Sequence, residues 1–198
     1  MSDTIRDAME RRGLLGMYVA EFSQPAWDGA PLAEVEPRQL ASIDTHDTPT
    51  FAGWLHGLDV DRRHVLGQLD DDAAERARVE RRSQVRNLVS FLAHRGDVVR
   101  GTVEEDERAV FEGLLRFLGD SDAPAVLVAV DDLVGETNPQ NVPGTTVDRP
   151  NWVQRVRISP AELATDEEIV PLLAALQACR LGSHLRSVAG PGASGDTA

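Results

Sequence analysis

Residues 125–130 read AVLVAV, an unbroken apolar run. A strand of that composition is expected to be buried on both faces, as in a parallel sheet covered by helices. Two shorter β-type runs precede it, MYVAEF at 17–22 and LASID at 40–44. Strands alternating with helical segments indicate an α/β fold with parallel strands. Three parallel strands make a poor complete sheet, so the sequence reads as part of a larger one.

The helical segments follow from spacing and punctuation. Residues 3–12 form a helix entered at Ser2 or Asp3 and left at Gly13. Thr48 caps the next helix with Pro49 at its first position, where the missing N–H costs nothing, and that helix covers 51–58. A long helix is expected over 71–94. Val85, Leu88, Val89 and Leu92 fall on one face of it, and Gly96 ends it. Its charge-rich part, ERARVERRSQ, reads as a solvated face. Thr102 and Glu105 form a capping box for a helix that turns Val110, Phe111, Leu114, Leu115 and Leu118 inward and ends at Gly119. Ser159, Pro160 and Glu162 open a short helix. A last helix, 166–180, directs Ile169, Leu172, Leu173, Leu176 and Cys179 inward, with Pro171 as a kink or a first-turn residue. Residues 1–186 thus form the folded part, and 187–198 a disordered tail.

Composition excludes more than it selects. The chain has 198 residues and a net charge of −13, a balance that repels nucleic-acid phosphates and anionic lipid but tolerates a neutral substrate such as a sugar. No apolar run approaches the roughly 20 residues of a membrane span. The polar start lacks a signal-peptide pattern, so a cytoplasmic location is the default. The single cysteine, Cys179, permits no intrachain disulfide and reads as a small buried hydrophobe. There is no zinc-ligand spacing, P-loop, dinucleotide fingerprint, HExxH or GxSxG, so neither a metal nor a cofactor is expected. His56, His64, His94 and His184 read as structural or solvent-facing.

Chemistry concentrates in two long segments that follow strands, the place where α/β barrels carry their functional groups. The first is THDTPTFAGW at 45–54. In it, Asp47 can stabilise positive charge on a bound substrate and His46 can donate to a sugar hydroxyl; alternatively, Asp47 only caps the coming helix. The second is ETNPQNVPGTTVDRPNW at 136–152. Gln140, Asn141 and Asn151 both donate and accept, which suits sugar hydroxyls. Trp54 and Trp152 offer apolar faces to pyranose rings. The bland alternative is a set of turn amides and two core tryptophans. Trp27 is either a further platform or a loop anchor.

Taken together, these segments resemble a known family. THDTPTFAGW is similar to the THD-x-P-T-x-x-GW segment of the amylomaltase (disproportionating enzyme) family, glycoside hydrolase family 77. NPQNVPGTTVDRPNW resembles its Q-x-N-x-PGT…PNW segment, and IRDAMERRGLLGMYVAEF resembles its VRDAL stretch. All three occur in the family's order and spacing, and the likeness reaches to about residue 180.

The resemblance implies the C-terminal portion of a (β/α)8 barrel. It also implies a 4-α-glucanotransferase that passes α-1,4-glucan segments to glucose or maltooligosaccharide acceptors by a retaining mechanism. Such a mechanism uses a carboxylate nucleophile and a carboxylic acid/base. Asp47 matches the family's third acid, the transition-state stabiliser. His46 matches its sugar-binding histidine, and Trp54, Asn141, Asn151 and Trp152 fall in the substrate-binding segments. The sequence holds no EDLG, the motif that carries the family's acid/base, and Glu10, Glu21, Asp28 and Glu34 do not match the missing roles. The expectation is a part without nucleophile or acid/base, inactive alone, whose partners are maltooligosaccharides and a missing N-terminal barrel portion. The alternatives are a non-catalytic carbohydrate-binding remnant, a split-enzyme subunit, or an unrelated α/β interaction protein.

Overall fold

A computed structural model describes residues 3–22, 31–98, 106–147 and 149–189. Trp27, Asp28, Thr102 and Glu105 lie outside these residues, as do 190–198 and the side chain of His184.

Helix α1 (Asp3–Arg11) ends at Gly13, whose φ of 66° is the left-handed conformation that glycine adopts without steric cost. Strand β1 (Gly16–Val19) follows, then one 3-10 turn over Ala20–Phe22, so the expected strand over 17–22 is half strand and half turn. Strand β2 is Gln39–Ser42 and β3 is Ala125–Leu127. The three form one parallel sheet in the order β1-β2-β3, with Tyr18 opposite Ala41 and Ala41 opposite Val126.

That central row faces the helices. Tyr18 and Ala41 are buried, and Val126 packs on the same core. Between β2 and β3 run α2 (Phe51–Leu55), α3 (Leu58–Val65), α4 (Asp71–Arg95) and α5 (Glu107–Gly119). Helix α4 is capped at both ends as its sequence dictates: Asp70 accepts from Ala73 N at 2.7 Å, and Gly96 closes it at φ 82°. Leu88 and Leu92 of α4 meet Val110, Phe111, Leu114, Leu115 and Leu118 of α5 in the core. Removing so many apolar side chains from water is the main stabilising term, about 1.5–3 kcal/mol for each fully buried one. Helix α6 (Val130–Leu133) and α7 (Pro160–Leu163) are single turns, and α7 carries the complete Ser159–Glu162 capping box. Helix α8 (Ile169–Ala189) lies on α5 and runs past residue 186. Pro171 sits in its first turn, where it displaces no hydrogen bond.

Four local expectations need correction. The run 125–130 is not one strand buried on both faces. Only three of its residues pair, Val130 already starts α6, and Leu127 is 48% exposed. The helices cover one face of the sheet; on the other, Met17 and Leu127 face open space among the described residues. The cap of α2 is Thr50, which accepts from Gly53 N at 3.2 Å; Thr48 is used in a turn with Thr45 instead. Helix α5 is capped by Asp106, which accepts from Ala109 N at 3.1 Å, whereas the expected box residues are outside the described set. Finally, Arg81 in the charged stretch of α4 is not solvated. It is 13% exposed and bonds both oxygens of Asp59, at 2.6 and 3.0 Å.

Candidate functional site

The site lies at the C-terminal end of the sheet, on the turns that follow β2 and β3. The turn after β2 is held by its own threonines. Thr45 N donates to Thr48 Oγ1 at 2.8 Å, Thr48 Oγ1 donates to Thr45 O at 2.9 Å, and Asp47 N donates to Thr45 Oγ1 at 3.3 Å. This lifts His46 and Asp47 out of the fold, with side chains 68% and 54% exposed.

The segment after β3 is fastened by Asn151. Its carboxamide accepts from Val142 N at 3.0 Å and donates to Thr145 O at 3.2 Å, closing the segment on itself. Arg149 adds bonds to Pro139 O at 2.7 Å and to Asn151 Oδ1 at 3.2 Å. Gln140 Nε2 reaches the Asp131 carboxylate at 3.2 and 3.4 Å, which pins the segment to α6. Trp152 takes a φ of 62° and donates its N–H to Gln140 O at 2.8 Å. A non-glycine residue in the left-handed region costs about 1–2 kcal/mol, so the surrounding bonds must hold it there.

The two turns meet. Asn141 Nδ2 donates to Asp47 Oδ1 at 2.7 Å, and His46 Nε2 stands 3.4 Å from Asp47 Oδ2. The Trp152 ring lies 5.6 Å from the His46 ring and is 60% exposed. His46, Asp47, Asn141 and Trp152 therefore form one exposed group that combines a carboxylate, an imidazole, an amide and an aromatic face. Asn151 belongs to the framework beneath it. Trp54 does not belong to the group. It is 7% exposed in the helical core, with the Arg81 guanidinium 4.8 Å from its ring, so its face is closed to any ligand. Among the other histidines, His56 pairs with Glu107 and His64 with Asp71, both at 2.8 Å.

Beneath the exposed group lies an acidic layer of Glu21, Asp44 and Asp132, to which the sequence patterns assign no role. Burial pushes the Glu21 carboxyl up to about 8, against a hydrogen bond with Thr48 and the pull of Arg81. Burial, reinforced by neighbouring Asp132 and Glu21, pushes Asp44 up to about 9. Burial raises Asp132 to about 6, opposed by the bond from Phe51 N and by Asp44. The hydrogen bond between these two carboxyls raises Asp44 and lowers Asp132, as expected when Asp44 is the partner that holds the proton. A charged residue ending an apolar strand run, as Asp44 does in LASID, was the available signal. Among the described residues no group of three or more His, Cys, Asp or Glu side chains can hold a metal ion.

The sequence profile of glycoside hydrolase family 77, 4-alpha-glucanotransferase, matches residues 1–160. The chain belongs to the 4-alpha-glucanotransferase family. It is 38% identical over 160 residues to 4-alpha-glucanotransferases of Mycobacterium bovis and Mycobacterium tuberculosis, covering 75% of this chain and 21% of theirs. It is 22% identical over 173 residues to that of Haemophilus influenzae, covering 84% of this chain and 25% of the relative. The chain thus spans about a fifth to a quarter of the length of these curated relatives. Amylomaltase from Corynebacterium glutamicum superposes with a TM-score of 0.76 at 25% identity, over 89% of this chain and 27% of that one. The amylomaltase from Streptococcus agalactiae solved in complex with acarbose shares the fold, with a TM-score of 0.60 at 16% identity over 91% and 30%. The three parallel strands and their helices are therefore part of an amylomaltase α/β barrel. Among the described residues no helix is long and apolar enough to cross a membrane.

Proposed function

We propose that this chain is the C-terminal part of a glucanotransferase catalytic barrel that binds α-1,4-linked glucans through His46, Asp47, Asn141 and Trp152. The observation that carries the reading is the 2.7 Å bond from Asn141 to Asp47, which joins two turns 94 positions apart into one exposed polar surface beside an open indole face. Asp47 is the transition-state stabiliser in this reading, and Asn151 keeps the second turn in shape. A retaining transfer also needs a nucleophile and an acid/base. Neither role has a matching residue here, so the chain alone carries out no transfer in this reading. The activity requires the remaining barrel strands, and cytoplasmic maltooligosaccharides are the substrate class.

Two measurements test this. Calorimetry with acarbose and with maltoheptaose should give binding that is lost in D47A. A maltotriose disproportionation assay should give no longer or shorter glucans from the chain alone. It should give both when the N-terminal barrel portion of a family member is supplied. Binding without complementation supports the carbohydrate-binding remnant instead; absence of any binding removes the glucan reading.

A further inference from the structure

The two site turns carry their chemistry on separate segments, yet the structure ties both to neighbouring residues of α6. On one side, Asp131 accepts from Gln140 Nε2 at 3.2 and 3.4 Å, and Gln140 is the residue next to Asn141. On the other side, Asp132 Oδ1 accepts from Phe51 N at 2.8 Å, and Phe51 opens α2 four residues after Asp47. Asp132 is 5% exposed, and a bond from a backbone amide to a buried carboxylate is short and strong. A third contact backs up these two. A Cβ on Gly53 of α2 would stand 2.7 Å from Thr137 O, so the helix backbone lies directly on the turn after α6. That turn is itself shaped by Glu136, whose Oε1 accepts from Thr137 N and Asn138 N at 2.9 and 3.0 Å.

We infer that Asp131 and Asp132 are positioning residues that act as a bracket: Asp132 seats the β2 turn, Asp131 seats the β3 turn, and their adjacency sets the distance between Asp47 and Asn141. The geometry explains why the dipeptide carries two carboxylates. One must be buried to meet the first turn of α2. The other must be partly exposed to meet a glutamine on a surface segment. Asp132 lies beneath the exposed face, whereas Asp131 lines the cavity beside His46, so the Asn141 resonance rather than affinity is the readout that isolates its positioning role. The purpose of the bracket rests on the glucan reading above, but its existence does not.

The test therefore reads the geometry without sugar. In 15N-labelled protein, the Asn141 side-chain amide resonance, assigned through N141A, reports the bond to Asp47. D131A and D132A should each move that resonance toward a free-amide position while circular dichroism shows a folded chain. D132N should restore it, because an asparagine oxygen still accepts from Phe51 N. Acarbose affinity should fall at least tenfold in D131A and stay near wild type in D132N. A folded D131A with the Asn141 resonance unmoved overturns the inference, and so does a folded D132N that behaves like D132A. If D132A does not fold, D131A and G53A supply the readout, since both disturb the same junction and G53A pushes α2 off Thr137. A wild-type chain that ignores acarbose, yet loses the Asn141 signal in D131A, upholds the bracket and removes the glucan reading.

Discussion

Asn141 donates its side-chain amide to the Asp47 carboxylate at 2.7 Å, and this bond joins the turn after β2 to the turn after β3. Because Asp47 is half exposed, the bond adds little to global stability: exposed polar pairs contribute about 0–1 kcal/mol. Its consequence is local, as it fixes which carboxylate oxygen faces the Asn141 side and which faces His46.

The N141A variant should therefore melt within a degree or two of the parent, while its affinity for acarbose drops by roughly tenfold, the worth of one charge-assisted bond of about 1.4 kcal/mol. Calorimetry beside a thermal scan separates the two effects. A large loss of melting temperature with unchanged affinity would show that the pair is structural.

Trp152 gives a sharper separation. Its φ of 62° is relieved in W152G, since glycine enters that region freely. The variant should be as stable as the parent or more so, by up to about 1 kcal/mol. Truncating an exposed tryptophan that forms a binding face should nevertheless weaken acarbose binding by about 2 kcal/mol. Urea denaturation and calorimetry on the same preparation check both halves.

The sequence and the structure agree where local rules decide and part where tertiary cover decides. The parallel βα order follows from alternation of strand and helix patterns, and the site turns follow from proline-stiffened loops placed after strands. The α2 cap does not follow in that way. T-P-T offers two threonines, and the choice of Thr50 depends on Asp132 taking Phe51 N and on Thr45 engaging Thr48, contacts that no spacing rule encodes. The burial of β3 is not legible because a strand cannot reveal how many layers cover it. Trp54 and Trp152 look alike in the sequence because residue type is silent about facing. The helical offset of Phe51 and Trp54, both buried, is the usable hint. Arg81 is hidden in a charged run whose other members do face water more fully.

Arg81 holds a structural position that a lysine cannot take over. Its fork meets both oxygens of Asp59, its NH1 also reaches Trp54 O, and its plane lies over the Trp54 ring. R81K keeps the charge and loses the fork, so it should lower stability by about 2 kcal/mol. The urea midpoint should fall at an unchanged slope. Acarbose affinity of the folded fraction should not change, because Trp54 lies in the core rather than in the site. A selective loss of affinity in R81K would return Trp54 to the binding surface.

The buried carboxyls make stability depend on pH in a direction opposite to that of salt-bridged acids. Glu21, at about 8 in the fold, and Asp44, at about 9, both lie above their ordinary values of 4.5 and 3.8. A raised carboxyl binds its proton more tightly folded than unfolded. Its contribution is fully present below the unfolded value and is lost as pH rises from there to the folded value. The chain should therefore lose stability between about pH 4 and pH 9, and the net charge of −13 pushes the same way through self-repulsion. Glutamine at 21 and asparagine at 44 imitate the protonated forms at every pH. E21Q and D44N should accordingly resemble the parent at about pH 4 and exceed it at about pH 8.5, by several degrees of melting temperature. The side-chain amide introduced by D44N also keeps a donor for Asp132, which D44A would remove. Melting curves at the two pH values decide the matter, since parallel lines for parent and variants would mean that these carboxyls are ionised in the fold throughout that range.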